Sequence, residues 1–462
     1  MASELITISP IDGREVVCRP YATESHIRQT LQSAQSAQRS WKETDLAERA
    51  RLLSAAVDRV VDAKPDFAQA ITLQMGRPIR HAPSEIDGFA ERARHMIAIA
   101  PEALRPLAAV PGSDRERFIR REPLGVTLTV APWNYPLLTA VNSIVPALMA
   151  GNAVVLKHSD QTPLCAELMH QAFARAGLPH GLFSFLHADH ATTQKLVRAP
   201  EIRFVSFTGS VRGGRAVEES ASGRFIGVGL ELGGNDAAYV RGDADLEPAV
   251  EALVDGAFFN AGQSCCGIQR IYVARRLYDD FVEQAAALTR RYVLGDPRER
   301  ETSLGPVVRR AAAASVREVI AEAIDRGARN VVDPAYFPAA REDSAYVAPA
   351  VLTHVDHAMR VMREECFGPV VGIMPVEDDD EAITLVNDSD YGLTAAIFTR
   401  DRAAALDLGG RIQAGTIFMN RCDYLDPGLA WTGVKDSGRG VSLSRLGYEQ
   451  LTQPKSFHLR VA

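Results

Sequence analysis

From Leu46 the chain reads LAERARLLSAAVDRVV, with Leu53, Ala56, Val57 and Val60 apolar at three- and four-residue steps, which marks one stripe of a helix for burial. EIDGFAERARHMIAIA, from Glu85, continues the same period, so the first hundred residues read as helical. The texture then changes. GVTLTVAP from Gly125, AVVLK from Ala153, LFSFLH from Leu182, RFVSF from Arg203 and FIGVG from Phe225 are short β-branched or apolar runs, and LLTAVNSIVPALMA and PLCAELMHQAFARAG are helical segments between them. Apolar strands alternating with helices predict a parallel sheet covered on both faces, the architecture in which nucleotides bind at the carboxyl ends of strands. A second α/β pattern spans residues 236 to 436, opening with AAYV, the helix DLEPAVEALVDGAFFN and the strand RIYVA. RERFIRREPLG (115–125) and the tail QPKSFHLRVA are extended and fall outside both patterns; they can pair as a small sheet or stand as an edge hairpin.

A chain of 462 residues exceeds what one core supports, so two or three domains are expected. With 51 basic against 58 acidic residues and a net charge of −7, no strongly basic face for nucleic acid is implied. The six cysteines show no CxxC spacing and no metal site is expected. No apolar run reaches the roughly 20 residues needed to span a bilayer, and the amino terminus lacks a signal-peptide pattern. A cytoplasmic protein without membrane segments is the expectation.

Several short stretches carry candidate chemistry, each with a plainer reading. FTGSVRGG (207–214) follows a strand and can open a helix, so Ser210 and the backbone N–H groups can face a pyrophosphate or form an ordinary turn. Glu231 in GLELGGND is either a base of raised pKa or one half of an ion pair, and the glycines after it admit a close neighbour. Asn134 in APWNYP is a donor held in a rigid turn, suited to an oxyanion or to its own backbone. Cys265 and Cys266 follow a helix and a turn, where a thiol can be activated or can pack as a small apolar side chain.

In this order, APWNYP, VVLKHSD, FTGS, LELGGND, FFNAGQSCCG, EECFGPV and TGVKDSGRG resemble the signature segments of the aldehyde dehydrogenase superfamily over nearly the whole chain. The resemblance implies a Rossmann-type cofactor domain (1–114 and 126–232), an α/β catalytic domain (233–437) and a small β oligomerisation element (115–125 and 438–462). It implies Cys265 as nucleophile, Glu231 as general base and Asn134 as oxyanion donor. For the cofactor it implies Trp133, Gly209, Ser210 and Gly214 near the pyrophosphate, Lys157 and Asp160 at the adenosine ribose, and Glu365 with Phe367 at the nicotinamide ribose. Asp160 departs from the family's common glutamate; its charge favours NAD over NADP. Ser143 stands where many relatives have a lysine, with either a packing role or an altered water route. Tyr135, Thr139, Asn142, Ser264, Cys266, Tyr424 and Asp426 are expected to line the aldehyde channel; no arginine among them recognises a carboxylate, so a semialdehyde acid is not favoured, although Arg421 is close enough to keep it open.

The expected reaction is oxidation of an aldehyde to a carboxylic acid. Acyl transfer to coenzyme A is the alternative within that chemistry, and Glu231 speaks against it, since that carboxylate serves water. A non-catalytic protein on the same fold is the alternative of another class, and the presence of Cys265, Glu231 and Asn134 opposes it. A homodimer or homotetramer is implied by the family's bridging sheet.

Overall fold

The computed structural model describes residues 4–108 and 115–460; the expected boundary at residue 114 lies outside them. Leu53, Ala56, Val57 and Val60 are all fully buried along the helix Leu46–Asp62, as their spacing requires. That helix, with Glu24–Trp41, Pro83–Ala103, Leu138–Met149 and Pro163–Arg175, encloses a sheet with strand order 438–439, 227–231, 202–208, 126–131, 153–158 and 183–185. Its strands run parallel except Gly438–Arg439, which pairs antiparallel with Gly227–Glu231. The segments Val126–Ala131 and Ala153–His158 are buried at every position, which explains why they read as continuous apolar runs and not as alternation.

A second sheet has the order 329–330, 350–353, 370–376, 268–274, 236–240, 394–398 and 416–419, parallel except at the short edge strand Arg329–Asn330. Each sheet has its own apolar core. The chain passes from one to the other through the residues between Glu231 and Asp236. The fold is therefore α/β with two mainly parallel sheets, the class expected from the sequence.

Thr452–Arg460 pairs antiparallel with Arg115–Pro123 along its full length, Leu107–Ala108 adds a third strand, and Phe118 stacks on Phe457 at 4.7 Å. Two details differ from the sequence reading. Gly438 and Arg439 belong to the first sheet, because Gly438, at φ +116°, lies so close to Leu230 that a Cβ there would stand 2.0 Å from its carbonyl oxygen. Phe225 is fully solvent-exposed, and the strand expected from it begins at Gly227, after a turn at Gly223 with φ +78°.

Candidate active site

The helix Leu246–Phe258 ends in a turn where Asn260, Ala261 and Gly262 all take left-handed backbone angles, φ +54°, +55° and +68°. Such a run is costly for residues other than glycine and persists only where surrounding bonds over-determine it. Here they do. Asn260 Nδ2 donates to the carbonyls of Asn134 and Gln263, each at 3.2 Å, and its Oδ1 accepts from Arg77 Nε at 3.0 Å. Gln263 Oε1 accepts from the Val308 N–H at 2.7 Å. A Cβ on Gly262 would fall 2.1 Å from the Gly368 oxygen, so only glycine closes this turn. The result is a fixed loop with Cys265 half-buried and Ser264 and Cys266 buried beside it.

The two thiols are not equivalent. Cys266 Sγ lies 3.1 Å from Asp423 Oδ1, and the bonded Cys265 side chain together with burial pushes the Cys266 thiol well above its ordinary range. Cys266 thus stays protonated and faces the core, which leaves Cys265 as the more accessible of the two thiols.

Asn134 follows the strand Val126–Ala131 and is 4% exposed. Its Nδ2 donates to the Gln263 carbonyl at 3.1 Å, which ties it to the cysteine loop and leaves its second amide hydrogen for an oxyanion formed at the thiol. Beneath it lies a buried ion pair. Arg77 bonds Glu85 and donates to the Asn134 carbonyl, while Glu85 Oε1 accepts from the Leu137 and Leu138 N–H groups at 2.7 and 3.3 Å. The Arg77 guanidinium also stacks over the Tyr135 ring at 4.5 Å.

Glu231 ends the strand Gly227–Glu231. Ser442 donates to its Oε1 and Thr208 donates to Oε2 at 3.2 Å, with the Asn142 amide near by. Burial raises its pKa, and those three donors with Arg92 hold it back. This is the environment of a base and not of an ion-paired carboxylate. The glycines that follow bring the machinery together: a Cβ on Gly234 would stand 2.4 Å from the Cys265 carbonyl, and one on Gly233 would stand 2.3 Å from Glu365. Ser143 bonds Thr129 at 2.9 Å and the Ala140 carbonyl at 3.3 Å, and it lines the same narrow polar cavity as Glu231, Thr139 and Ser442.

Ser210 caps the helix Val211–Ala221, its side chain accepting from the Gly213 N–H at 3.2 Å, so the helix amino terminus can receive a pyrophosphate. Gly209 and Gly214 permit close packing, since Cβ atoms there would lie 2.8 Å from Phe207 and 2.7 Å from Leu232. Lys157 donates to Asp160 Oδ1 at 3.1 Å and Tyr21 donates to Oδ2 at 2.9 Å, so the Asp160 carboxylate is fixed by two partners. Trp133 meets Phe367 edge to face at 5.6 Å. Glu365 accepts from the Gly234 N–H at 3.2 Å, and burial pushes its pKa up to about 7. The Gly233 notch that a Cβ would fill, the helix terminus at Ser210 and the carboxylates of Asp160 and Glu365 are of the kind a nicotinamide dinucleotide requires.

On the substrate side, Tyr135 lies next to Ser264, and Thr139 donates to the Tyr135 carbonyl at 2.8 Å. Tyr424 donates to Glu91 at 3.4 Å and carries the Arg421 guanidinium over its ring at 3.4 Å. Two expected residues do not line the channel as anticipated. Asp426 is exposed and accepts from the Gly428 N–H at 2.8 Å within its own turn, and Cys266 faces the core. The carboxylate that reaches the site is Asp423. Its backbone, at φ +47°, turns it inward so that Oδ1 accepts from Ser264 at 2.7 Å. Arg92 was also missed. Its Nη1 donates to the Leu138 carbonyl at 2.9 Å and to Asn142 Oδ1 at 3.2 Å. The signal for it was present, because Arg92 falls on the buried stripe of its helix with Glu85, Phe89 and Met96. A charge on such a stripe demands a polar partner.

Comparison with known proteins agrees with this geometry. Residues 2–457 match the aldehyde dehydrogenase family. The chain is 34% identical to the succinate semialdehyde dehydrogenase [NAD(P)+] Sad of Escherichia coli K12, over 97% of this chain and 96% of that protein. It is also 34% identical to betaine aldehyde dehydrogenase 2 of Rhizobium meliloti, over 98% and 93%. Among solved structures it superposes on succinic semialdehyde dehydrogenase from Streptococcus pyogenes in complex with NADP+ with a TM-score of 0.93, at 28% identity and over 98% and 99% of the two chains. The motifs, the two-sheet fold and this match over nearly all its length lead to one conclusion: the chain belongs to the aldehyde dehydrogenase family.

Proposed function

We propose that this protein oxidises an aldehyde to the corresponding carboxylic acid, using NAD or NADP, through an acyl group carried on Cys265. The Cys265 thiolate adds to the carbonyl carbon, and the oxygen, now anionic, accepts the free amide hydrogen of Asn134. A nicotinamide dinucleotide held by Ser210, Lys157, Asp160 and Glu365 would supply the hydride acceptor that lets the carbonyl re-form. A thioester on Cys265 remains. Glu231 takes a proton from water, the hydroxide adds to the thioester carbon, and collapse returns the thiolate and releases the acid.

The observation that carries this reading is the linkage of the three groups through short bonds and contacts. Asn134 donates to Gln263, two residues before the nucleophile, and Gly234, three residues after the base, abuts the Cys265 carbonyl. NAD is favoured over NADP because a carboxylate at 160 repels a 2′-phosphate. The three-stranded sheet formed by the tail supports a homo-oligomer bridged through it.

The test is reduction of NAD and NADP by a panel of aldehydes with wild type and Cys265→Ala. Wild type turns over and the variant does not. Turnover by Cys265→Ala would refute the reading, and an acyl-coenzyme A product formed only when coenzyme A is added would replace hydrolysis by acyl transfer.

A further inference from the structure

The amino-terminal hairpin of strands Glu4–Ile8 and Glu15–Pro20 belongs to neither parallel sheet, yet it is bonded to the loops and the helix that follow two strands of the first one. Thr7 Oγ1 donates to the Asp160 carbonyl at 2.7 Å, and the Ile8 carbonyl accepts from Gln161 Nε2 at 3.0 Å. Arg19 meets both oxygens of Glu167 at 2.8 and 3.1 Å, and the Ala22 N–H donates to the His187 carbonyl at 2.8 Å. The segment from Arg19 to Ala22 is therefore fixed at both ends, against the helix Pro163–Arg175 and against the loop after the strand Phe183–Phe185.

Between those two ties stands Tyr21. Its hydroxyl donates to Asp160 Oδ2 at 2.9 Å, while Lys157 Nζ donates to Oδ1 at 3.1 Å. Burial and then the adjacent Asp160 carboxylate raise the pKa of Tyr21, so the phenol keeps its proton and remains the donor. Lys157 alone would tether one oxygen and leave a side chain that is 38% exposed free to turn about its own bonds. A bond to each oxygen fixes the plane of the carboxylate. This matters because a charge opposes a 2′-phosphate only while it cannot swing aside, and an untethered carboxylate relieves the repulsion by rotating.

We infer that Tyr21 is a positioning residue for cofactor selection: by holding Asp160 Oδ2 from the hairpin, it keeps the carboxylate charge against the 2′ position of the adenosine ribose, and so sets how strongly NAD is preferred to NADP. This rests on the proposed use of a dinucleotide with Asp160 at its adenosine ribose. It adds a determinant from outside the sheet that carries the cofactor residues.

The experiment measures Kd, with no aldehyde present, for NAD, NADP, 5′-AMP and adenosine 2′,5′-bisphosphate by calorimetric titration of wild type, Tyr21→Phe, Thr7→Val, Asp160→Ser and Tyr21→Phe/Asp160→Ser. Tyr21→Phe removes one oxygen and keeps the ring. Thr7→Val removes a bond from the same hairpin to the same aspartate, but at its carbonyl, so it reports any general loosening. Loss of a hydrogen bond to a charged group in Tyr21→Phe shifts the ratio of the two dinucleotide Kd values toward NADP about fivefold. The same shift is expected between the two adenosine fragments, which differ only at the 2′ position. Thr7→Val keeps the wild-type ratio, and Tyr21→Phe has no effect on the ratio once residue 160 carries no charge.

Equal weakening of every ligand in Tyr21→Phe, an equal shift in Thr7→Val, or a full shift that persists in the Asp160→Ser background would overturn the inference and leave Tyr21 a structural tie of the hairpin. An unmoved ratio in Tyr21→Phe would overturn it as well. Each of these results leaves the use of a dinucleotide standing, whereas a wild type that binds neither NAD nor NADP sinks the proposed function itself.

Discussion

The Arg77–Glu85 pair offers a test of how the site is held, because its energetics and its catalytic role predict different patterns in the same variants. Both side chains are almost completely buried, at 1% and 0% exposure. Glu85→Gln keeps an oxygen for the Leu137 and Leu138 N–H groups but leaves Arg77 uncompensated, and Arg77→Met leaves Glu85 without its cation. Breaking a buried pair from one side costs about 3–5 kcal/mol, since the remaining charge loses its partner without regaining water. The double variant Glu85→Gln/Arg77→Met buries no charge and still satisfies both N–H groups. It loses the bonds from Arg77 to the Asn134 carbonyl and to Asn260 Oδ1, neutral-acceptor bonds worth roughly 1–3 kcal/mol in all. The double variant is therefore no less stable than the weaker single, giving a coupling energy of roughly 3 kcal/mol. Activity follows another rule. Arg77 holds the carbonyl of Asn134, the proposed oxyanion donor, and the side chain that fixes the strained turn before Cys265, so kcat falls on the order of a hundredfold in Arg77→Met and is not rescued in the double variant. Urea unfolding followed by tryptophan fluorescence gives the stabilities, and initial rates of NADH formation give kcat. Stability losses that add to within about 0.5 kcal/mol, or activity that returns with stability, would refute the reasoning.

Other consequences follow from single contacts. Glu231→Gln releases about one equivalent of NADH per site in a burst and then turns over some 10²–10⁴-fold more slowly, since the acyl group waits for unassisted water. Because burial raises the Glu231 pKa, the wild-type hydrolytic rate falls with decreasing pH before the ordinary glutamate range is reached, and this limb is absent in the variant; a limb at the ordinary value in wild type contradicts the assignment. Gly234→Ala drives a methyl into the Cys265 carbonyl and lowers kcat by at least about a hundredfold, while Gly410→Ala, with nothing within 4 Å, leaves it unchanged. Asp160→Ser removes the charge facing a 2′-phosphate and raises kcat/KM with NADP relative to NAD by about tenfold, a ratio read directly from paired cofactor titrations.

What the sequence disclosed and what it withheld divide along a physical line. Strand runs such as residues 126–131 and 153–158 are apolar because both faces are covered, and helix stripes such as Leu53 to Val60 recur because one face is; each is a local record of burial. The cysteine loop is legible for another reason: its motif order resembles a family's, whereas the contacts that demand Gly262 and Asn260, to the Gly368 and Asn134 carbonyls, lie more than a hundred positions away. Asp423 reaches Ser264 and Cys266 from a loop more than 150 positions away, and no short-range period marks such a residue. Asp423 gives no sign beyond lying in a loop, and the sequence reading chose its neighbours.

Arg92 is different, and the difference is instructive. On the helix Pro83–Ala103 the buried stripe includes Ile86, Phe89, Ala93, Met96 and Ile97, and two ionisable residues, Glu85 and Arg92, stand seven positions apart on it. Two opposite charges at that spacing invite the inference that they pair with each other, about two helical turns apart along one face. They do not: Glu85 bonds Arg77 and the start of the helix Leu138–Met149, and Arg92 turns to Asn142 near the middle of that same helix. One charged position on the stripe is consumed in holding Asn134 in place through Arg77, and the other is held by the Leu138 carbonyl and Asn142 Oδ1. A charge on a buried stripe therefore announces that a polar partner exists, and only the packing of a second helix decides which one it is.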